Sequence, residues 1–263
     1  MRRTERAPFF FPLTLVLIGV VILLNNFLLI DADVVSLWPA LLILIGLQVL
    51  WRGDLAPSWQ AHTFGITRGS VESASLEISS AEIDVSVRAL ERSGRLIAGQ
   101  YTARSRPRLA VRNNHASLLM RRGNTWLFSF ADWDLELAHD LPWAMLMSSH
   151  LGEFNVDLRG VQLTRAHIAT GIGDIHIIAP DRQVGPLFVR STFGDVHLAI
   201  PHGVPALILV NASPLCNVIA HEDDFKVDKT SKYFATRAYQ HGQPALDITV
   251  GGTFGNVLLS IAD

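Results

Sequence analysis

Three segments of this 263-residue chain recur with a fixed period: Gly152-Glu-Phe-Asn-Val156, Gly173-Asp-Ile-His-Ile177 and Gly194-Asp-Val-His-Leu198 lie 21 residues apart, twice. A unit that short cannot bury an apolar face alone, so successive units must stack and share one core. Within the copies apolar residues alternate: Phe154, Val156 and Leu158, then Ile175 and Ile177, then Val196, Leu198 and Ile200. A period of two means strand. A second strand per unit keeps the same register, with Ile168, Val189 and Val210 each 21 apart. Turn residues punctuate between them at Pro180-Asp181, Gly185-Pro186 and Pro201-His202-Gly203. The expected architecture is a β-solenoid, a stack of parallel coils whose repeat glycines sit at corners that need positive φ or close backbone approach. An evenly spaced antiparallel sandwich is the competing fold.

Weaker copies extend the pattern. Cys216-Asn-Val-Ile-Ala220 follows after 22 residues, Gly255-Asn-Val-Leu-Leu259 after a further 39, and Ala81-Glu-Ile-Asp-Val85 reads as an early relative. The stretch 214–253, with Glu222-Asp223-Asp224 and the lysines 226, 229 and 232, is expected to leave the stack as a loop or hairpin. Upstream, Ser75-Leu-Glu-Ile-Ser79, Ile83-Asp-Val-Ser-Val87, Trp126-Leu-Phe-Ser-Phe130 and Trp133-Asp-Leu-Glu-Leu137 also alternate. No segment after Arg52 keeps a 3.6-residue period, so the domain should be almost wholly β.

Ahead of this domain stand two uncharged apolar runs, Ala7 to Ile30 and Val34 to Trp51, separated only by Asp31, Ala32 and Asp33. As helices they reach about 36 Å and about 27 Å, against a hydrocarbon core of roughly 30 Å. Three residues cannot cross a bilayer, so the second helix returns to the side where the first began. Arg2, Arg3 and Arg6 precede the hairpin and Arg52 closes it, whereas the outer turn holds two aspartates. Both termini are therefore expected in the cytoplasm. A cleaved signal peptide fits poorly, because Asn25, Asn26 and Phe27 stand where a small-residue cleavage site belongs. The expected division is a transmembrane hairpin over 1–55, with spans at about 9–30 and 34–51, and a cytosolic β-repeat domain over 56–263, clearest at 151–220 and 254–261.

Charge is segregated along the chain. Residues 88–122 hold nine arginines against one acid, Glu91, whereas from Asp132 onward 15 acids face eight bases. Arg104, Arg106, Arg108 and Arg112 are the candidates for binding anionic lipid headgroups or an acidic partner, at about 1 kcal/mol per basic residue held at a membrane surface. Scarce aromatics among them disfavour nucleic acid. One cysteine, Cys216, excludes an internal disulfide framework. No phosphate loop, nucleophile elbow or zincin motif is present. The remaining constellation is Asp174 with His176 and Asp195 with His197: two apart on a strand they share a face, and stacked coils would set them in a square about 4.8 Å on edge that suits a divalent metal. A solvated outer ladder is the plainer reading. No cofactor is expected.

Pro12-Leu-x5-Gly19-x-x-Ile22-Leu-Leu and Leu37-Trp38-Pro39-Ala-Leu-Leu-Ile-Leu-Ile-Gly46 resemble the two-helix transmembrane module of LiaI/LiaF-type proteins. Trp133-Asp-Leu-Glu-Leu, Leu141-Pro142-Trp143, Gly152-x-Phe-x-Val-x-Leu158 and the Gly-Asp repeats resemble the C-terminal LiaF β-repeat domain, called toastrack. The resemblance implies a bacterial inner-membrane protein of envelope-stress signalling, since LiaF-type members restrain a two-component histidine kinase. A non-enzymatic sensor or modulator that binds such a kinase is the expected function, with homo-oligomers among its partners. A structural or adhesin-like β-repeat scaffold at the membrane is the alternative.

Overall fold

The computed structural model describes residues 61–91, 94–102, 105–122, 132–182, 184–221, 223–228 and 232–262. The chain divides into units Met1–Arg52 and Gly53–Asp263, and the described residues belong to the second. The expected hairpin, the strand expected at 126–130 and Arg104 lie outside them. Among the described residues there are eighteen strands and no helix. In chain order they are β1 (Ala61–Thr67), β2 (Ser73–Glu82), β3 (Asp84–Ala89), β4 (Arg95–Thr102), β5 (Arg108–Arg112), β6 (His115–Arg122), β7 (Asp132–Leu137), β8 (Pro142–Leu151) and β9 (Phe154–Asp157). Then come β10 (Gln162–Ile172), β11 (Ile175–Ile178), β12 (Leu187–Phe193), β13 (Val196–Pro201), β14 (Ala206–Ala212), β15 (Cys216–Ala220), β16 (Phe225–Asp228), β17 (Tyr233–Thr236) and β18 (Leu246–Ala262).

These strands build coils of two, one in each of two facing sheets. The first sheet runs β5, β6, β2, β8, β10, β12, the first half of β18, β14, β17, β16. The second runs β1, β4, β7, β3, β9, β11, β13, the second half of β18, β15. Within the stack every coil pairs in parallel with its neighbours; antiparallel strands occur only at the ends, as β1, β4, β5, β16 and β17. That pattern is a solenoid and not a sandwich.

Strand alternation builds the core because inward residues of successive coils fall into columns. Met120, Ile78, Met147, Ile168, Val189, Val250 and Val210 form one in the first sheet. Trp133, Val85, Phe154, Ile175, Val196 and Val257 form the facing one, and all six are buried. The large indoles need polar partners in this interior. Trp133 Nε1 donates to Ser105 Oγ at 2.9 Å and Trp143 Nε1 to the Ala138 carbonyl at 2.8 Å.

The coils do not stack in chain order. The β2/β3 coil lies between β6/β7 and β8/β9, and the β18 coil lies between β12/β13 and β14/β15. Two sequence expectations change accordingly. Cys216-Asn-Val-Ile-Ala220 does not neighbour the Gly194 copy; Cys216 aligns with Gly255, and Val257 with Val196. The early relative is also displaced by two residues, since Val85 and not Ile83 aligns with Phe154. A two-residue slip keeps every side chain on its own face, so the alternation could not reveal it. The 214–253 stretch leaves the stack only in part. It contributes β15 to a coil and the β16–β17 hairpin to the edge of β14.

The repeat glycines do occupy the corners. Gly152, Gly173 and Gly194 have φ of 139, 140 and 140 degrees. A Cβ at Gly173 would lie 2.1 Å from the Gly152 carbonyl oxygen, and one at Gly194 2.2 Å from that of Gly173. The same carbonyls accept bonds from buried hydroxyls, Thr170 Oγ1 to Gly152 at 3.2 Å and Ser191 Oγ to Gly173 at 3.0 Å.

Candidate functional site

One residue beyond the corner glycines Gly173 and Gly194 stand Asp174 and Asp195, on the outer side of the second sheet, and Asp84, which follows Ile83, acts in the same way. Asp84 Oδ1 accepts the Glu153 N–H at 2.7 Å, Asp174 Oδ1 the Asp195 N–H at 2.7 Å, and Asp195 Oδ1 the Asn256 N–H at 2.8 Å. Each carboxylate thus clips its coil to the next. His176 and His197 are aligned in adjacent coils, their rings stacked at 4.4 Å, and His176 Nε2 lies 3.5 Å from Glu153 Oε1. The four residues of the predicted square are neighbours. The aspartates, however, already accept backbone N–H groups, and among the described residues no group of three or more His, Cys, Asp or Glu is arranged to hold a metal ion.

The arginine-rich segment is dispersed over both sheets. Arg88 on β3 donates to Glu136 at 2.6 Å; that bond, then the charges of Asp134 and Glu136, raise its pKa. Arg121 on β6 pairs with Glu77 at 2.8 Å, and Arg122 beside it is buried. Arg106, Arg108 and Arg112 are exposed, the last two at the ends of the edge strand β5. What remains is a small basic edge at β5 and, apart from it, the exposed Arg95 on β4.

The third surface was not foreseen from the sequence. Leu151, Ile172, Phe193 and Phe254 occupy equivalent places in successive coils, immediately before the corner, and with Leu215, which precedes the Gly255-aligned Cys216, make an apolar ridge along the stack. Ile172 is 53% exposed, Phe193 47%, Phe254 38% and Leu215 66%. The Phe193 and Phe254 rings stack at 4.6 Å with 2° between their planes. Strand alternation misleads here. Ile168 and Thr170 point inward, so Ile172 should as well, but the chain begins its corner at this point and the side chain swings outside. The available signal was the recurrence of a large apolar residue directly before Gly152, Gly173, Gly194 and Gly255.

Such a ridge, held on a rigid stack, suits contact with an apolar surface. None of the three surfaces assembles a nucleophile with a base.

Comparison with known proteins adds two matches. Residues 9–50 match the LiaI-LiaF-like transmembrane region, and residues 63–186 match the N-terminal domain of toast_rack, DUF2154. No curated protein matches the sequence. Among solved structures, a candidate cell adhesion protein from Clostridium sporogenes is similar at 14% identity and TM-score 0.65, over 77% of this chain and 99% of that one. A candidate adhesin from Bacteroides fragilis aligns over 78% of this chain and 99% of that one at 10% identity, with TM-score 0.27. At such identity the first likeness concerns the fold alone.

Proposed function

We propose that this chain, in which a LiaI-LiaF-like transmembrane region precedes a toast_rack domain, is a non-enzymatic membrane protein that modulates envelope-stress signalling by binding a membrane partner, a two-component histidine kinase. The observation that carries the reading is the ridge of Ile172, Phe193, Phe254 and Leu215. Burying side chains of this size against a partner contributes roughly 1.5–3 kcal/mol each at full burial. The second sheet's outer face is spent on clips between coils, and the exposed arginines of β5 form a minor edge.

The test is co-purification of the full chain from bacterial membranes after brief cross-linking, read for histidine kinases by mass spectrometry. Wild type should recover a kinase, and Phe193→Asp with Phe254→Asp should lose it at unchanged expression. Recovery of no kinase by wild type, or equal recovery by the variant, would overturn the proposal.

A further inference from the structure

The outer face of the first sheet carries a pattern that neither the clips nor the ridge accounts for. Glu77, Leu146, His167, Phe188, Thr249 and Leu209 align across six coils and form one row on that face. Leu146 is 49% exposed and Phe188 41%. A hollow lies on either side of the row. The first, about 560 Å³, is lined by Ser75, Ser117, Ala144, Leu146, Pro186 and Arg165 among others. The second, about 590 Å³, is lined by Thr249, Gly251, Asn211, Thr253, Arg190 and Lys232 among others. Phe188 and His167, with ring centroids 6.3 Å apart, line both hollows and stand between them.

Cations flank the row on both sides. Arg165 lies two residues before His167 and Arg190 two after Phe188 on the parallel neighbour, so each stands about 6.6 Å along the strands from the row, in opposite directions. Gly251 makes room for the second of them. A Cβ there would lie 3.4 Å from Arg190 Cγ, so the arginine stem runs over the glycine. Arg165, Arg190 and Lys232 are all exposed, and no ion pair among the described residues engages them. The nearby acids do not serve them. Glu77 is paired with Arg121, and Asp247 lines neither hollow. An exposed apolar row with uncompensated positive charge along both flanks calls for a ligand of the opposite pattern.

We infer that the outer face of the first sheet docks an acidic amphipathic segment of a partner protein. Its apolar side chains cover Leu146 and Phe188, and its carboxylates reach into the hollows, to Arg165 on one side and to Arg190 and Lys232 on the other. The row spans five strand spacings, about 24 Å, a length that about 16 helical residues cover. A second copy of this chain is a poor occupant. Laid face to face it sets these cations against one another, and the carboxylates of its second sheet are engaged: Asp174 and Asp195 by backbone N–H groups, Glu136 by Arg88 and Asp157 by Arg159. A bilayer surface fits less well, because it is level on this scale and leaves both hollows unfilled. Phe193 and Phe254 line neither hollow, so this docking face stands or falls separately from kinase binding at the ridge.

The experiment uses the full chain in phosphatidylcholine nanodiscs, with empty discs as background. The probe is a fluorescein-labelled helical peptide of about 16 residues, with leucines along one stripe and glutamates on both flanks, read by fluorescence anisotropy. Wild type should bind it, and should bind the analogue with glutamine for glutamate about tenfold more weakly. Exposed ion pairs contribute little singly, but replacing Arg165, Arg190 and Lys232 together by Gln should weaken binding about tenfold. Phe188→Ser, which removes the ring between the hollows, should do the same through lost apolar cover. As a control for net charge, Arg106→Gln, Arg108→Gln and Arg112→Gln together should weaken binding no more than about twofold, through the long-range field alone. All these side chains are exposed, so thermal melting should be unchanged throughout. Failure of wild type to bind the peptide, or equal loss in the two triple variants, would overturn the inference. So would displacement of the peptide from the Arg106, Arg108 and Arg112 variant by phosphatidylglycerol vesicles as readily as by unlabelled peptide, which would assign the face to lipid.

Discussion

Gly173→Ala isolates the feature on which coil spacing depends. The added methyl would lie 2.1 Å from the Gly152 carbonyl oxygen, a backbone atom that cannot rotate away. Relief requires adjacent coils to part by about 1 Å at a corner where Gly173 N–H donates to Phe193 at 2.8 Å and Gly152 N–H to Ile172 at 3.0 Å. Weakening two such bonds costs about 1 kcal/mol each. Holding alanine at a φ of 140 degrees adds about 1–3 kcal/mol. The sum is about 3–5 kcal/mol, and for a domain of this size it lowers Tm by roughly 6–20 °C. Gly203→Ala is the matched control. Its φ is 77 degrees, yet no atom lies within 4 Å of the new methyl, so only the conformational cost of about 1–2 kcal/mol applies. Far-UV circular dichroism melting of both variants of the full chain in detergent decides the matter. If Gly203→Ala lowers Tm as much as Gly173→Ala, coil contact is not what selects glycine at the repeat corner.

Val196→Asp places a carboxylate in a fully buried column and should cost several kcal/mol, collapsing neighbouring coils together, while His197→Ala on the outer face should move Tm by no more than a degree or two; equal sensitivity would invert the assigned faces. With Arg88 and Arg121 in ion pairs and Arg122 buried, the β5 edge offers a vesicle three exposed arginines, Arg106, Arg108 and Arg112, while Arg95 is exposed apart from them on β4. At about 1 kcal/mol per charge, replacing all three by Gln should abolish salt-sensitive binding of the 53–263 fragment to phosphatidylglycerol vesicles in a flotation assay; undiminished binding would remove these residues from any membrane contact. The arginine flanks of the two apolar runs predict that a reporter fused after Asp263 is active in the cytoplasm. Alkaline phosphatase activity at that fusion would instead favour the adhesin-like scaffold.

Much of the coil was legible in the chain itself. Period-two alternation assigns Ile175, Ile177, Val196 and Leu198 to one face because successive strand side chains point oppositely, a local property that needs no partner. The 21-residue spacing and the corner glycines follow from the same local geometry, repeated. The order of the coils does not. Every coil offers its neighbours the same columns of aliphatic side chains and the same backbone edge, and longer connections cost little extra loop entropy, so residues 246–262 slip between coils that precede them in sequence. The candidate surfaces divide in the same way. Asp174 and His176 came together with Asp195 and His197 because they lie one period apart. The arginines, clustered in sequence but lacking that period, were scattered over two sheets and partly neutralised by Glu136 and Glu77. Ile172 and Phe193 were hidden for a third reason: alternation holds only while the strand is straight, and whether a residue at its end faces core or solvent is decided by where the chain turns in three dimensions.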